Sequence, residues 1–275
     1  MSALQTRAIP STGEALPVIG LGTWQTFDIA DDPRLRATRG AVLKAFAAGG
    51  ARLVDSSPMY GRAEDVVGAL VQAQGLRERL FLATKVWTAG RAAGERQMEA
   101  SLAKLCVDTI DLMQVHNLVD VETHLATLRA WKAQGRVRYV GVTHYTATAH
   151  DAVARILDTH PVDFVQINYS AAEREAERRV LPLAHDKGVA VIANRPLAQG
   201  VLLRRLARRP LPGWAADIDC ATWPELLLKF VIAHPAVTCA IPATSSVAHL
   251  QDNLRAGTGR MPDERLRARI AAEAA

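Results

Sequence analysis

Four side chains that could together move a proton lie at separate points of the chain: Asp55, Tyr60, Lys85 and His116. A free tyrosine has a pKa of about 10, and a nearby ammonium such as Lys85 would stabilise the phenolate and lower that pKa. Asp55 would pair with Lys85, because a buried amine is costly unless it is paired. His116 would hydrogen-bond a carbonyl and hold it against Tyr60. A hydride would have to come from a cofactor, since no side chain donates one.

Other interpretations of these residues stay open. Taken singly, Asp55 could cap a turn or a helix, Tyr60 could be a packed aromatic and His116 a satisfied core histidine. A lysine at a strand end could also be the nucleophile of a Schiff-base barrel aldolase, although Asp55 would keep Lys85 protonated. A third possibility is a cofactor-binding regulatory subunit with little turnover.

The segments that must position these residues are short apolar runs that alternate with longer helical stretches. Eight runs are predicted as strands: Val18–Gly22, Arg52–Asp55, Leu80–Thr84, Ile110–His116, Tyr139–Val142, Phe164–Asn168, Val189–Ala193 and Thr238–Ile241. The predicted helices are Leu35–Ala48, Ala63–Val71, Gly94–Leu105, Val121–Ala133, Ala147–Asp158, Glu173–Lys187, Pro224–Ala233 and Val247–Leu254. This repetition predicts an α/β fold, a (β/α)8 TIM barrel, in which all strands end on one reactive face. No Gly-x-Gly-x-x-Gly follows the first strand, which disfavours a Rossmann fold.

The ends of the chain and its longest unassigned stretch complete the predicted architecture. A turn at Ser11–Glu14 predicts a short N-terminal β-hairpin that caps the barrel. The segment from Gln199 to Ala221 has no clear assignment, and long loops of this kind are often functional lids. With no linker or low-complexity tract, residues 1–275 are predicted to be a single catalytic domain.

Composition excludes several classes of function. The net charge of +5 is too small and too scattered to predict nucleic-acid binding. A dense basic patch at Arg204, Arg205, Arg208 and Arg209 is interpreted as a solvated face, with an anionic cofactor as the alternative partner. The three cysteines lie far apart and the eight histidines show no paired spacing, so no metal site is expected. Without a signal pattern or an apolar run of about 20 residues, we expect no membrane contact and a cytoplasmic protein.

Eight sequence blocks resemble the ordered blocks of aldo-keto reductases, from about residue 4 to residue 255. They are GEALPVIGLGTW, the segment Asp55–Gly61, KVW, DTIDLMQVHN, YVGVTH, QINYS, PLAQGVL and IPATSSVAHLQDNL. The resemblance implies NADPH-dependent reduction of an aldehyde or ketone to an alcohol, with NADH possible as cofactor. It implies Tyr60 as general acid, with Asp55, Lys85 and His116 as the supporting catalytic residues. It also implies a monomer whose partner is a small carbonyl compound.

The same resemblance assigns binding residues. It implies that Gln166 and Thr143 bind the nicotinamide carboxamide and that Trp24, Trp87 and His116 contact the substrate. The full set implied to bind cofactor is Gly22, Thr23, Trp24, Thr143, His144, Gln166, Arg195, Pro196, Leu197, Gln199, Gly200, Thr244, Ser245, His249, Asp252 and Asn253. Leu197, Gln199 and Gly200 would lie beside the pyrophosphate, and the last five residues would hold the adenosine half.

The sequence departs from the family pattern at four positions. Three belong to this cofactor-binding set, and the fourth, Ala243, directly precedes Thr244. His144 stands where the family commonly has Asn. Arg195 stands where an aromatic ring often stacks on the nicotinamide; a guanidinium can also stack, but its charge would disfavour the oxidised ring. Ala243 and His249 stand where many members have Lys and Arg to grip the 2′-phosphate of NADP.

Overall fold

An eight-stranded parallel sheet forms the centre of the structure, a computed structural model that describes residues 3–275. Two N-terminal strands, β1 (Thr6–Ala8) and β2 (Ala15–Pro17), pair with each other in antiparallel fashion. The parallel strands follow in chain order: β3 (Leu21–Gly22), β4 (Leu53–Asp55), β5 (Phe81–Val86), β6 (Ile110–His116), β7 (Val137–Thr143), β8 (Phe164–Asn168), β9 (Ala190–Asn194) and β10 (Val237–Ala240). Parallel bridges between Ile19 and Ala240 and between Gly22 and Ala243 join the first strand to the last. The predicted barrel with its N-terminal hairpin is therefore confirmed.

Helices surround this barrel. Those of the described residues are α1 (Pro33–Ala48), α2 (Ala63–Ala73), α3 (Arg91–Leu105), α4 (Val121–Ala133), α5 (His150–Thr159), α6 (Val180–Asp186), α7 (Val201–Leu206), α8 (Trp223–Ile232), α9 (Val247–Ala256) and α10 (Glu264–Ala274). Several begin where the sequence supplies a cap: the Asp32 carboxylate accepts hydrogen bonds at the start of α1, and Thr222 with Glu225 forms a capping box on α8.

The floor of the barrel is a packed apolar layer. Side chains alternate along each strand, so every second residue points inward. At the amino ends of the strands several of these inward residues are large, and Ile9 and Leu16 of the hairpin pack against them with no exposed surface. The apolar cluster that contains this layer comprises Leu53, Phe81, Ala83, Leu112, Tyr139, Phe164, Ala190, Ile192, Cys239 and, on the cleft side, Ile241. The hairpin thus covers this end, and Asp55, His116, Thr143, Asn168 and Asn194 lie at the opposite ends of their strands.

Two predicted helices begin later than expected. The sequence pattern predicts one helix over Glu173–Lys187, but this segment holds a 3-10 turn at Glu175–Arg178 and α6 starts only at Val180. Pro182 explains this, because a proline ring in a helix interior clashes with the carbonyl four residues earlier but is tolerated in the first turn. Similarly, Ala147–Ala149 forms a 3-10 turn ahead of α5.

The unassigned stretch from Gln199 to Ala221 contains α7 and a 3-10 helix at Gly213–Ile218. The last helix, α10, is not among the predicted helices. Asp263 caps it by accepting a hydrogen bond from the Leu266 amide at 2.8 Å, and Ile270 and Ala274 bury its inner face. An aspartate directly before a helical pattern is the signal that would have located this helix.

Candidate active site

The polar strand ends converge as predicted on the carboxyl face of the barrel. Asp55, His116, Thr143, Asn168 and Asn194 are the final residues of β4, β6, β7, β8 and β9. A cleft of about 770 Å³ opens at this face, within the usual size range of ligand sites. The predicted site residues that line it are Gly22, Thr23, Trp24, Asp55, Tyr60, Trp87, His116, Thr143, Gln166, Arg195, Pro196, Leu197, Gln199 and Gly200.

Lys85 lies beneath the cleft and is 1% exposed. Its ammonium donates to both carboxylate oxygens of Asp55, at 2.9 and 2.8 Å, and to the Ser56 carbonyl at 2.6 Å. Burial by itself would lower the pKa of Lys85, but the charge of Asp55 and its hydrogen bonds to the ammonium raise it on balance. The lysine is therefore held as a cation with all three donors directed at acceptors.

Tyr60 lies above this ion pair. The Lys85 nitrogen is 4.9 Å from the centre of the Tyr60 ring. The turn that carries Tyr60 is fixed by a hydrogen bond from its amide to the Ser57 carbonyl at 3.0 Å. Burial, together with the Asp55 charge, raises the pKa of Tyr60 although Lys85 pulls it down. The expected net lowering is therefore wrong for the protein without ligands, and the phenol keeps its proton at neutral pH.

His116 faces Tyr60 across the cleft. The two ring centres are 6.0 Å apart and the rings meet edge to face. The Ser57 hydroxyl lies 3.1 Å from Nδ1 of His116. Burial, with smaller contributions from the charges of Lys85 and His144, lowers the pKa of His116 to about 2. The imidazole is therefore neutral, and with Ser57 as donor to Nδ1 its own proton is assigned to Nε2.

Three amide side chains at the cleft have an unused acceptor. Gln166 Oε1, Asn194 Oδ1 and Asn117 Oδ1 are buried without a hydrogen-bond partner among residues 3–275. Buried acceptors of this kind are rare, because leaving one unpaired costs about 1–3 kcal/mol. All three residues line the cleft. They therefore fit a ligand that brings an N–H donor, such as the carboxamide of a nicotinamide.

The loop after β9 follows the cleft wall in a strained conformation. Arg195, Ala198 and Gln199 have positive φ angles of 51°, 48° and 54°, a region that non-glycine residues seldom adopt. Such strain persists where surrounding structure imposes it, and it is common at ligand sites. This loop and the segment around Gly22 both line the cleft.

The remaining predicted cofactor residues do not line the cleft. His144 stacks on Tyr145, with ring centres 5.5 Å apart. The others lie in the segment that leads into α9: Thr244, Ser245, His249, Asp252 and Asn253. Ser246 caps α9, accepting from the His249 amide at 3.4 Å. Asp252 is engaged by Arg255, and Asn253 is buried.

The cleft also has wall residues that the sequence did not single out. They are Gln25, Thr26, Met59, Asn117, Leu203, Ile241 and Pro242. Position alone marks most of them, since each except Leu203, which is in α7, lies within a few residues of a strand end. Tyr145 lines the cleft as an aromatic wall, whereas Trp214 and Trp223 do not. Trp223 instead donates to the Arg209 carbonyl at 2.9 Å.

Two other classes of site are absent from residues 3–275. No group of three or more His, Cys, Asp or Glu side chains in that range is arranged to hold a metal ion. No helix in the same range is long and apolar enough to cross a membrane.

Proteins of known sequence or structure are similar to this chain over most of its length. Residues 18–271 match the model of the aldo/keto reductase family. The methylglyoxal reductase YeaE of Escherichia coli is 32% identical over 258 residues, covering 91% of this chain and 89% of its own. An aldo/keto reductase from Klebsiella pneumoniae, solved with NADP and acetate, has a TM-score of 0.81 at 30% identity and covers 95% of this chain and 92% of its own. A second Klebsiella pneumoniae structure, with NADPH, has a TM-score of 0.80 at 29% identity over 99% and 95% of the two chains. The chain belongs to the aldo-keto reductase family of NAD(P)H-dependent oxidoreductases.

Proposed function

We propose that this protein reduces an aldehyde or ketone to an alcohol with NADPH, and that Tyr60 is the proton donor. The observation that carries the proposal is the buried Lys85–Asp55 pair directly beneath Tyr60 at the base of the cleft. Tyr60 is the phenol closest to that pair, and its hydroxyl group is protonated in the free protein. A general acid must carry its proton until the reaction requires it.

The roles of the residues follow from their chemistry. When bound, the cofactor supplies the hydride that reaches the carbonyl carbon. Tyr60 and Nε2 of neutral His116 hold the carbonyl oxygen between them. As negative charge develops on that oxygen, the cationic Lys85 stabilises it through the phenol and eases proton transfer from Tyr60. Asp55 acts through Lys85 by fixing the position and charge of the ammonium.

The cofactor proposal rests on the chain's own acceptors and on its relatives. Gln166 and Asn194 offer unpaired oxygens to a carboxamide, with Thr143 beside them in the cleft. We place the pyrophosphate along Leu197–Gly200 and the adenosine half near Thr244–Asn253. We propose NADPH as the cofactor in place of NADH, because the Klebsiella pneumoniae relatives were solved with NADP and NADPH.

The aldolase interpretation is much less suited to this geometry. A Schiff-base lysine must be neutral to attack a carbonyl, which is usually achieved by desolvation. Here Lys85 donates to three acceptors and its pKa is raised. Borohydride treatment with substrate should therefore leave no adduct on Lys85.

Replacement of Tyr60 by Phe tests the proposal. We expect carbonyl-dependent NADPH oxidation to fall by about 10²–10⁴-fold, the usual value of a general acid, while NADPH binding persists. The substrates tested should include methylglyoxal, because the Escherichia coli relative is a methylglyoxal reductase. Binding is followed by tryptophan fluorescence for NADPH and NADH, since Trp24 and Trp87 line the cleft.

Tyr139→Phe is the matched control, because it removes a hydroxyl in the floor layer at the opposite end of the barrel. It should keep wild-type turnover. Wild-type rates in Tyr60→Phe would show that another group donates the proton.

We also propose that residues 1–275 act as one domain and as a monomer. Light scattering should then give a mass of 29.8 kDa, and a doubled mass would contradict the monomer.

A further inference from the structure

Arg195 places a cation on the wall of the cleft. Of the described residues that line it, Asp55 and Arg195 carry formal charges at neutral pH. The charge of Asp55 is matched at 2.8 Å by Lys85, and the pKa of His116 is lowered so that it adds none. The charge of Arg195 is the one that a bound ligand would meet.

The Arg195 side chain is anchored on two sides. Its Nη1 donates to the Tyr145 carbonyl at 3.0 Å, and its Nη2 lies 3.5 Å from Oε1 of Glu173. Its Nε is buried and has no hydrogen-bond partner among residues 3–275. The guanidinium is therefore fixed in position but only partly satisfied, and its single ion pair is a long one.

Glu173 is in turn held by its neighbours. Asn168 Nδ2 donates to Oε2 of Glu173 at 3.3 Å, and Asn168 Oδ1 accepts from Nε2 of His150 at 3.0 Å. The Glu173 amide donates to the Ser170 hydroxyl at 3.0 Å. The carboxylate therefore stays near the guanidinium without lining the cleft itself, and it reduces the positive potential that reaches the cleft.

The reaction of a nicotinamide changes charge in one place. The ring is neutral when reduced and carries one positive charge when oxidised, whereas the pyrophosphate, riboses and adenine are the same in both forms. A cation in the cleft wall repels the oxidised ring alone, and an anion behind it opposes that repulsion.

We propose that the Arg195–Glu173 pair sets the relative affinity of this protein for the reduced and oxidised dinucleotide, with Arg195 disfavouring the oxidised form and Glu173 limiting the effect. This inference rests on the proposed function, because it requires a nicotinamide in this cleft. Its consequence is a cleft biased toward carbonyl reduction, since NADP+ leaves more readily than NADPH.

The test is the ratio of two dissociation constants, for NADP+ and for NADPH, measured by fluorescence titration without substrate. Arg195→Gln should lower the ratio of the NADP+ to the NADPH constant by about tenfold, the effect of one charge at a separation of several ångströms. Glu173→Gln should raise it. The double variant should fall between the two single variants, and Arg195→Lys, which keeps the charge, should stay within about twofold of wild type.

Contrary outcomes are distinguishable. If Arg195→Gln and Glu173→Gln shift both constants by equal factors, the residues are structural and the inference fails while the proposed function stands. Shifts of the ratio in the same direction would also overturn it. If wild-type protein binds neither NADPH nor NADP+, the proposed function and this inference fail together.

Discussion

Replacing Lys85 by Met should destabilise the protein as well as inactivate it. The substitution roughly keeps the length of the side chain but removes the ammonium that neutralises Asp55. Both side chains are almost fully buried, at 1% and 3% exposure. Removing one partner leaves an isolated buried carboxylate, a change that typically costs about 3–5 kcal/mol.

The expected value lies at the lower end of that range. Gln114 Nε2 lies 3.4 Å from Oδ1 of Asp55 and remains as one weak donor. We therefore expect the free energy of unfolding of Lys85→Met to fall by about 3 kcal/mol. Adding Asp55→Asn removes the orphaned charge, so the double variant should recover at least about 1.5 kcal/mol. It should remain inactive, because no cation supports Tyr60.

Urea denaturation followed by tryptophan fluorescence measures these differences at pH 7. The matched control is Lys104→Met, since Lys104 pairs with Asp65 at 3.9 Å on a half-exposed surface. An exposed pair of this kind contributes little, and the control should change stability by less than about 0.5 kcal/mol. If Lys85→Met lost no more than the control, or if the double variant were less stable than Lys85→Met, the buried pair would not have the assigned role.

Two further predictions concern pH and packing. The pKa of His116 is lowered to about 2 in the folded protein from about 6.5 when unfolded, so its contribution to stability is complete above pH 6.5 and declines as the pH falls. His116→Gln should reduce the slope of stability against pH between 6.5 and 5 by up to about 1.4 kcal/mol per unit, measured by urea midpoints; an unchanged slope would contradict the neutral imidazole. Gly68→Ala should cost about 2–3 kcal/mol, because a Cβ there would lie 2.0 Å from the Lys104 carbonyl oxygen of α3. Gly213→Ala, where nothing lies within 4 Å, should be nearly neutral in thermal melts, and equal losses in both would refute the packing argument.

The features that could be predicted from the sequence are those written in local patterns. Strand periodicity places Asp55 and His116 at strand ends, and a closed parallel barrel then brings those ends together. The pairing of Lys85 with Asp55 could also be predicted, since a buried lysine is costly without a partner. That these residues come together could therefore be predicted without knowing the distances between them.

The features that were missed depend on distance and on competing local rules. The net pKa shift of Tyr60 depends on how burial compares with the Lys85 charge, which spacing along the chain does not give. The late start of α6 follows from Pro182, a local signal that outweighed the helical pattern around it. Glu173 falls within a predicted helix, so its approach to Arg195 could not be anticipated from its position in the sequence.

The hairpin covers the amino end of the barrel, and the cleft opens at the carboxyl end. Ile9 and Leu16 pack against the floor layer with no exposed surface, and packed interiors have few voids larger than a water molecule. A ligand therefore enters and leaves the cleft at the carboxyl end of the barrel. In the proposed function, the part of a substrate beyond its reacting group would extend toward this opening, where Trp24 and Trp87 line the cleft. The size of that part of the substrate is then limited by the width of the opening, and not by the depth of the cleft.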